Sequence, residues 1–208
     1  EVEMNETLEN VIYKLQQSEK YQVLYKKAFG SKKITGQLTL KAISQFVVSL
    51  TTSNSKYDKV IRNEVQFTEM EQKGYDVFKR NCASCHKEPL FTSDSFENNG
   101  LAIDATLNDF GRMKITHDKN DSLKFKVPTL RNVEFTFPYM HDGRFKTLNE
   151  VVKHYNSGIV QSKTLSKSLQ KPIHLTDNQR TELVAFLKTL TDKDFLFNSK
   201  FSYPKKTK

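Results

Sequence analysis

Residues 81–91 read NCASCHKEPLF, and they hold the only two cysteines of the 208-residue chain, Cys82 and Cys85, with His86 directly after the second. Four chemistries use thiols this close together. A structural zinc site needs four ligands, as two such pairs or as a pair with two spaced histidines. The other histidines, at 117, 141, 154 and 174, are isolated. A thioredoxin-like redox pair belongs beside a β-α-β pattern, and the sequence offers none. A disulfide across so short a loop would do little for folding entropy. The fourth chemistry is covalent attachment of haem, for which C-x-x-C-H is the signature. Each thiol adds to one vinyl group of the porphyrin, and His86 then supplies an axial nitrogen to the iron.

The periodicity around this motif is helical. Leu8, Val11, Ile12 and Leu15 fall at i, i+3, i+4, i+7, one face of a helix. A second helix is expected over 19–29, stopped by Gly30. Ile43, Phe46, Val47 and Leu50 repeat the spacing, and TTSNS at 51–55 breaks it. Thr68 and Glu71 form a capping box that opens a helix running into Cys82, with Met70, Val77 and Phe78 on its inner face. Gly74 in that helix permits a close crossing. Residues 92–125 are rich in Asn, Asp, Ser, Gly and Lys without a period. A segment that long in a compact domain wraps something or is functional. FKVPTLRN at 125–132 reads as extended around Pro128. Capping boxes at Thr147/Glu150 and Thr176/Gln179 open a short helix, about 147–156, and the last one, whose face carries Leu183, Phe186, Leu187 and Leu190. The expected class is mainly α: a c-type cytochrome-like haem domain with long irregular loops wrapping the haem.

A single histidine leaves the sixth iron position to decide function, open for chemistry or closed for electron transfer. Candidates are Met113, Met140, His141, His154 and Tyr155. Leu148, Val151, Val152 and Tyr155 share one helical face, so Tyr155 is expected inward, with His154 about 100° round. The periodicity alone favours a core tyrosine with a hydrogen-bonded hydroxyl over a ligand.

The chain is 37% hydrophobic and 27% charged, with formal charge +9. No stretch approaches the roughly 18–20 apolar residues of a membrane span. EVEMNETLEN at the start lacks the apolar core of a signal peptide, which suits a cytosolic chain, a mature exported one, or a piece of a longer one. The lysines are spread along the chain with no nucleic-acid-binding motif, so a solvated basic surface or a docking face for an acidic protein is expected, and no nucleic acid.

The segments FKVPTLRNVEFTFPYMHDGRFKTLNEVVKHY at 125–155, NCASCHKEPLFTS at 81–93 and FLKTLTD at 186–192 resemble the C-terminal haem domain of the bacterial dihaem cytochrome c peroxidase and MauG family. YKKAFG and ISQFVVSLTTSNSKYD are similar to the family's segment upstream of its second haem. The resemblance implies a helical segment over 1–66, linking to an N-terminal haem domain missing here, and a c-type haem domain over 67–208. It implies one haem c bound by Cys82, Cys85 and His86, and a second haem on the missing domain. The family's distal ligand falls at Tyr155; peroxidases proper have methionine there and MauG-like members tyrosine, with Met140 the rival here. Glu3 matches the family's peroxide-handling glutamate, whose companion glutamine would precede residue 1, and the tryptophan between the haems has no counterpart. A calcium between the haems would use backbone carbonyls at Thr136 and Pro138. Arg131 is expected either on a haem propionate or bracing its own loop, and His141 ordering its turn with Asp142. The implied activity is reduction of hydrogen peroxide with electrons from a small cytochrome or cupredoxin. The alternatives are MauG-like oxidation of a protein substrate and a plain electron-transfer module. A periplasmic location, and a homodimer, complete the expectations.

Overall fold

The computed structural model describes residues 5–171 and 173–203. The backbone divides into two compact units, Glu1–Thr51 and Thr52–Lys208. The division falls after Thr51, whereas the resemblance implied one after residue 66.

The first unit is three helices, α1 (Leu8–Gln16), α2 (Glu19–Phe29) and α3 (Gly36–Ser49). The Thr7 and Thr35 hydroxyls accept from the third amides beyond them and open α1 and α3. Gly30 ends α2 at φ 77°, a left-handed turn that costs glycine nothing. α3 begins earlier than its apolar repeat suggested. The Tyr25 hydroxyl and Thr39 Oγ1 lie 2.9 Å apart and close the inside of the unit.

The second unit holds α4 (Lys56–Ile61), α5 (Glu69–Asn81), α6 (Met113–Thr116), α7 (Leu148–Lys153), α8 (Asp177–Lys188) and α9 (Lys193–Leu196). Its sheet is minimal: β1 (Phe96–Glu97) pairs antiparallel with β2 (Phe125–Lys126). The long stretch between them is irregular, as its composition implied. All three capping boxes expected from the sequence form, and a fourth at Ser55/Asp58 opens α4. That helix was missed because its box uses aspartate where glutamate or glutamine is the stronger signal.

The core is an aromatic layer between α5 and α8. Val77, Phe78, Leu183, Phe186, Leu187 and Leu190 are buried there with Tyr57, Phe91, Leu148 and Val152. Each such apolar side chain contributes about 1.5–3 kcal/mol on burial. The helices meet at Gly74, where a β-carbon would lie 1.9 Å from the Glu182 carbonyl oxygen. Met70, expected inward, is 51% exposed, because the first turn of α5 runs out beyond the crossing. Asp192 ties the start of the unit to its end, accepting from the amides of Ser53 and Asn54 at 3.0 and 2.9 Å. Among the described residues, no helix is long and apolar enough to cross a membrane.

Candidate haem-binding site

α5 carries its chain directly into the thiol pair. The Cys82 amide closes the helix on the Phe78 carbonyl, and the amides of Cys85 and His86 turn back onto the Cys82 carbonyl at 3.2 and 3.0 Å. One tight turn therefore presents both thiols and the imidazole. Neither cysteine is in a disulfide. Burial, with Cys85 beside it, pushes the Cys82 thiol up to about 12, so it is a neutral group and not an activated thiolate.

His86 is oriented from behind. Its Nδ1 lies 3.2 Å from the Phe91 carbonyl and 3.1 Å from that of Pro128. Two acceptors at Nδ1 select the tautomer with its proton there and leave the Nε2 lone pair free for a metal. Burial holds the imidazole below its ordinary pKa, outweighing the opposing effect of both carbonyls, and so keeps it an uncharged base. Phe91 reaches this position with φ at 54°, a left-handed conformation costing a side-chain-bearing residue about 1–2 kcal/mol. Its fully buried ring, 4.7 Å from that of Tyr57 and 5.5 Å from that of Phe78, anchors it. The extended segment about Pro128 is stitched alongside: Thr92 Oγ1 donates to the Val127 carbonyl and Thr129 Oγ1 to that of Leu90. Carbonyl partners of this kind leave no mark on side-chain pattern, so the sequence did not reveal them.

Arg131 takes the second of its expected roles, bracing the loop. The guanidinium pairs bidentately with Asp58 at 2.8 and 3.0 Å and donates twice to the Pro89 carbonyl. Its donors are thus turned to the buried carboxylate and the loop. Burial pushes the Asp58 carboxyl up, but Arg131 and Ser55 more than offset that and hold it below the usual carboxylate range.

Opposite, α7 does not continue through residue 156. It ends at Lys153 and passes into a π-helical turn over His154–Gly158, a widening often found at functional sites. The wider turn buries His154 as well, correcting its expected place round the helix. Its Nε2 lies 3.0 Å from the Asn99 carbonyl, and Gly158 leaves room for the ring, a β-carbon there falling 3.1 Å from Nδ1. Tyr155 is half-buried beside it. Burial, and then Cys82 and Cys85, raise the Tyr155 phenol to about 12 against a lowering bond from the Asn99 side chain. Met140, in a left-handed turn at φ 71°, accepts from the same Asn99 side chain, Nδ2 to Sδ, at 3.4 Å. Met140 thus meets Asn99, a residue that sequence reasoning passed over as loop composition.

The other candidates disperse. His141 stacks on Phe125 at 3.8 Å, while Asp142 orders the turn through Arg144. Thr136 and Pro138 lie on the loop leading to Tyr139. Glu3 lies outside the described residues. No cluster of three or more His, Cys, Asp or Glu able to hold a metal occurs among the described residues. The donor set fits a c-type haem: two thiols on one turn, an imidazole with Nε2 free, and a phenol and a thioether as further candidate ligands.

A family model described as Di-haem cytochrome c peroxidase matches residues 1–66, and one described as Cytochrome c matches residues 71–191. The chain is 34% identical to methylamine utilization protein MauG of Methylophilus methylotrophus, covering 90% of this chain and 57% of that protein. It is 35% identical to cytochrome c551 peroxidase of Nitrosomonas europaea, covering 90% and 53%. A MauG-like protein associated with microbial copper homeostasis has a crystal structure that matches with TM-score 0.78 and 31% identity, over 94% of this chain and 65% of that one. The chain thus spans little more than half the length of these curated relatives. With more than half its residues under the second model and its opening under the first, the chain belongs to the cytochrome c family, among the di-haem cytochrome c peroxidases and MauG.

Proposed function

We propose that this chain is the haem-bearing C-terminal part of a di-haem oxidoreductase that reduces hydrogen peroxide. The observation carrying the reading is the tautomer of His86. Both carbonyls sit at Nδ1, so Nε2 is aimed for iron at the turn that bears both thiols. Cys82 and Cys85 would link one haem c, and His86 and Tyr155 would hold its iron. When bound, this haem supplies one-electron redox chemistry. The buried rings of Phe78 and Phe91 would keep water from the back of His86. A second haem, on the part of the relatives that this chain does not span, would be where peroxide reacts. Glu3 would move the proton between peroxide oxygens there. A calcium on the Thr136 and Pro138 carbonyls, a small cytochrome or cupredoxin as donor, and a periplasmic location belong to the same reading.

Tyr155 favours a second reading. A phenolate stabilises ferric and higher iron, whereas methionine raises the potential. A tyrosine ligand therefore suits MauG-like oxidation of a protein substrate better than turnover with a high-potential donor. The test is steady-state oxidation of a reduced cytochrome by peroxide, run on the full-length protein and on this chain loaded with one haem. The full-length protein should turn over and the chain alone should not. Full turnover by the chain alone would sink the reading. Oxidation of a protein substrate at stoichiometric peroxide, without cytochrome turnover, would move it to the second.

A further inference from the structure

Two tyrosines converge on one carboxylate oxygen behind the haem-binding turn. Tyr57 Oη donates to Glu88 Oε1 at 2.6 Å, and Tyr75 Oη donates to the same atom at 2.8 Å. Both hydroxyls thus spend their donors on a single acceptor oxygen. Burial first, and then Glu88, push both phenols up, Tyr75 to about 12, so each keeps its proton and points it at the carboxylate. The pair also bridges inside and outside. Tyr57 is buried, its ring 4.7 Å from that of Phe91, whose carbonyl holds His86. Tyr75 lies 6.3 Å from Tyr57 between ring centroids, is half-buried, and has the Lys79 ammonium 4.4 Å from its centroid.

Phenols give up an electron readily only when the proton can leave with it, because an oxidised phenol is a strong acid. A carboxylate already hydrogen-bonded to the hydroxyl is the group that permits this. We propose that Tyr57, Glu88 and Tyr75 form a one-electron, one-proton oxidation site carrying oxidising equivalents between the haem-binding turn and the surface beside Lys79. This rests on the reading of the chain as part of a peroxide-linked haem oxidoreductase.

The oxidant is a one-electron acceptor strong enough to oxidise a phenol, supplied by peroxide through the haem. Tyr57 yields one electron to it, its O–H bond breaks, and the proton passes to Glu88 along the 2.6 Å hydrogen bond. A neutral phenoxyl radical and a carboxylic acid remain. The radical then takes an electron from Tyr75 and recovers the proton from Glu88, while the Tyr75 proton moves to Glu88 along the 2.8 Å bond. A reductant at the surface returns one electron to Tyr75 and Glu88 returns the proton. The oxidant has gained one electron, the reductant has lost one, and the site is unchanged.

The experiment is electron spin resonance of the full-length, haem-loaded protein after oxidation by two routes. One is flash-generated ruthenium(III) tris-bipyridine; the other is hydrogen peroxide with rapid freezing. Tyr57→Phe, Tyr75→Phe and Glu88→Gln are compared with the parent, with the haem absorption spectrum and melting curve as folding controls. A tyrosyl signal should form, and its Tyr57-dependent component should vanish in Tyr57→Phe. It should persist longer in Tyr75→Phe, and form on the order of a hundredfold more slowly in Glu88→Gln, the usual cost of losing a positioned base. A Tyr57-dependent signal with both oxidants supports the site and the peroxide reading together. The same signal under flash oxidation alone supports the site and overturns the peroxide reading. A signal equal in parent, Tyr57→Phe and Tyr75→Phe, or no tyrosyl signal by either route, overturns the site. A clamp that merely braced the loop would shift melting and leave the resonance signal unmoved.

Discussion

Replacing Gly74 by alanine should loosen the second unit at its centre. A β-carbon there falls 1.9 Å from the Glu182 carbonyl oxygen, 2.5 Å from the carbonyl carbon and 2.9 Å from Phe186 Cβ. The first two are helix backbone and cannot swing aside. Relief requires α5 and α8 to part by roughly 1 Å, the gap between 1.9 Å and the 3.0 Å below which β-carbons are essentially never found. A 0.5–1 Å gap forfeits about a quarter to a half of the dispersion attraction of every atom pair it opens. Phe78, Leu183, Phe186 and Leu187 all lie along that crossing. Overpacking of a well-filled core costs about 1–3 kcal/mol and occasionally more. Alanine's better helix propensity returns about 1 kcal/mol, so the clash wins only because it is with backbone. With the cost at the upper end of that range, because backbone cannot yield, the expected net loss is about 2 kcal/mol, a fall in melting temperature of about 4–8 °C for a protein this size. Thermal unfolding of the haem-loaded chain followed by circular dichroism reads it. A Gly74→Ala protein melting within about 1 °C of the parent would show that the helices do not meet there as described.

Other outcomes follow from the site and its supports. The Asp58 carboxyl has a folded-state pKa below its unfolded one, so its pairing with Arg131 stabilises the protein above the unfolded value of about 3.9 and is lost as pH falls through the folded value. Asp58→Asn should flatten this acid limb of a stability–pH curve and, by stranding the buried Arg131, cost about 3–5 kcal/mol at neutral pH. Converting both Cys82 and Cys85 to alanine should leave an intact mass equal to the bare polypeptide after expression in a host that matures c-type cytochromes. Tyr155→Met should abolish any phenolate-to-iron absorption and raise the reduction potential by on the order of a hundred millivolts, within the roughly 0.8 V that axial ligands span; an unchanged potential would remove Tyr155 from the iron. Thr68→Ala removes one half of the capping box that opens α5 and should cost about 1 kcal/mol in urea unfolding.

Local chemistry was legible wherever it repeats at fixed spacing. The thiols and imidazole of Cys82, Cys85 and His86 named the cofactor class because no other chemistry uses that triplet so tightly. Capping boxes and the i, i+3, i+4 pattern located most helices, since both arise from interactions inside one turn. The glycine within α5 signalled a close crossing for the same reason. α4 escaped because its aspartate box is a weaker signal. Met70 and His154 were misplaced because ideal helical phase was carried across a helix end that runs beyond its partner and across a π-turn.

By itself, then, the sequence determined a helical chain with a C-x-x-C-H turn of the c-type haem kind, because those are set by neighbours a few residues apart. Only the tertiary structure decided what surrounds that turn. Phe91 and Pro128 carbonyls, separated from His86 by 5 and 42 residues, select its tautomer. Asp58 claims Arg131 across 73 residues. Asn99 donates to Met140 across 41 residues, and Glu88 joins Tyr57 to Tyr75. Backbone acceptors and long-range polar partners carry no periodic signature, and which of them meet is settled only when the chain closes on its core.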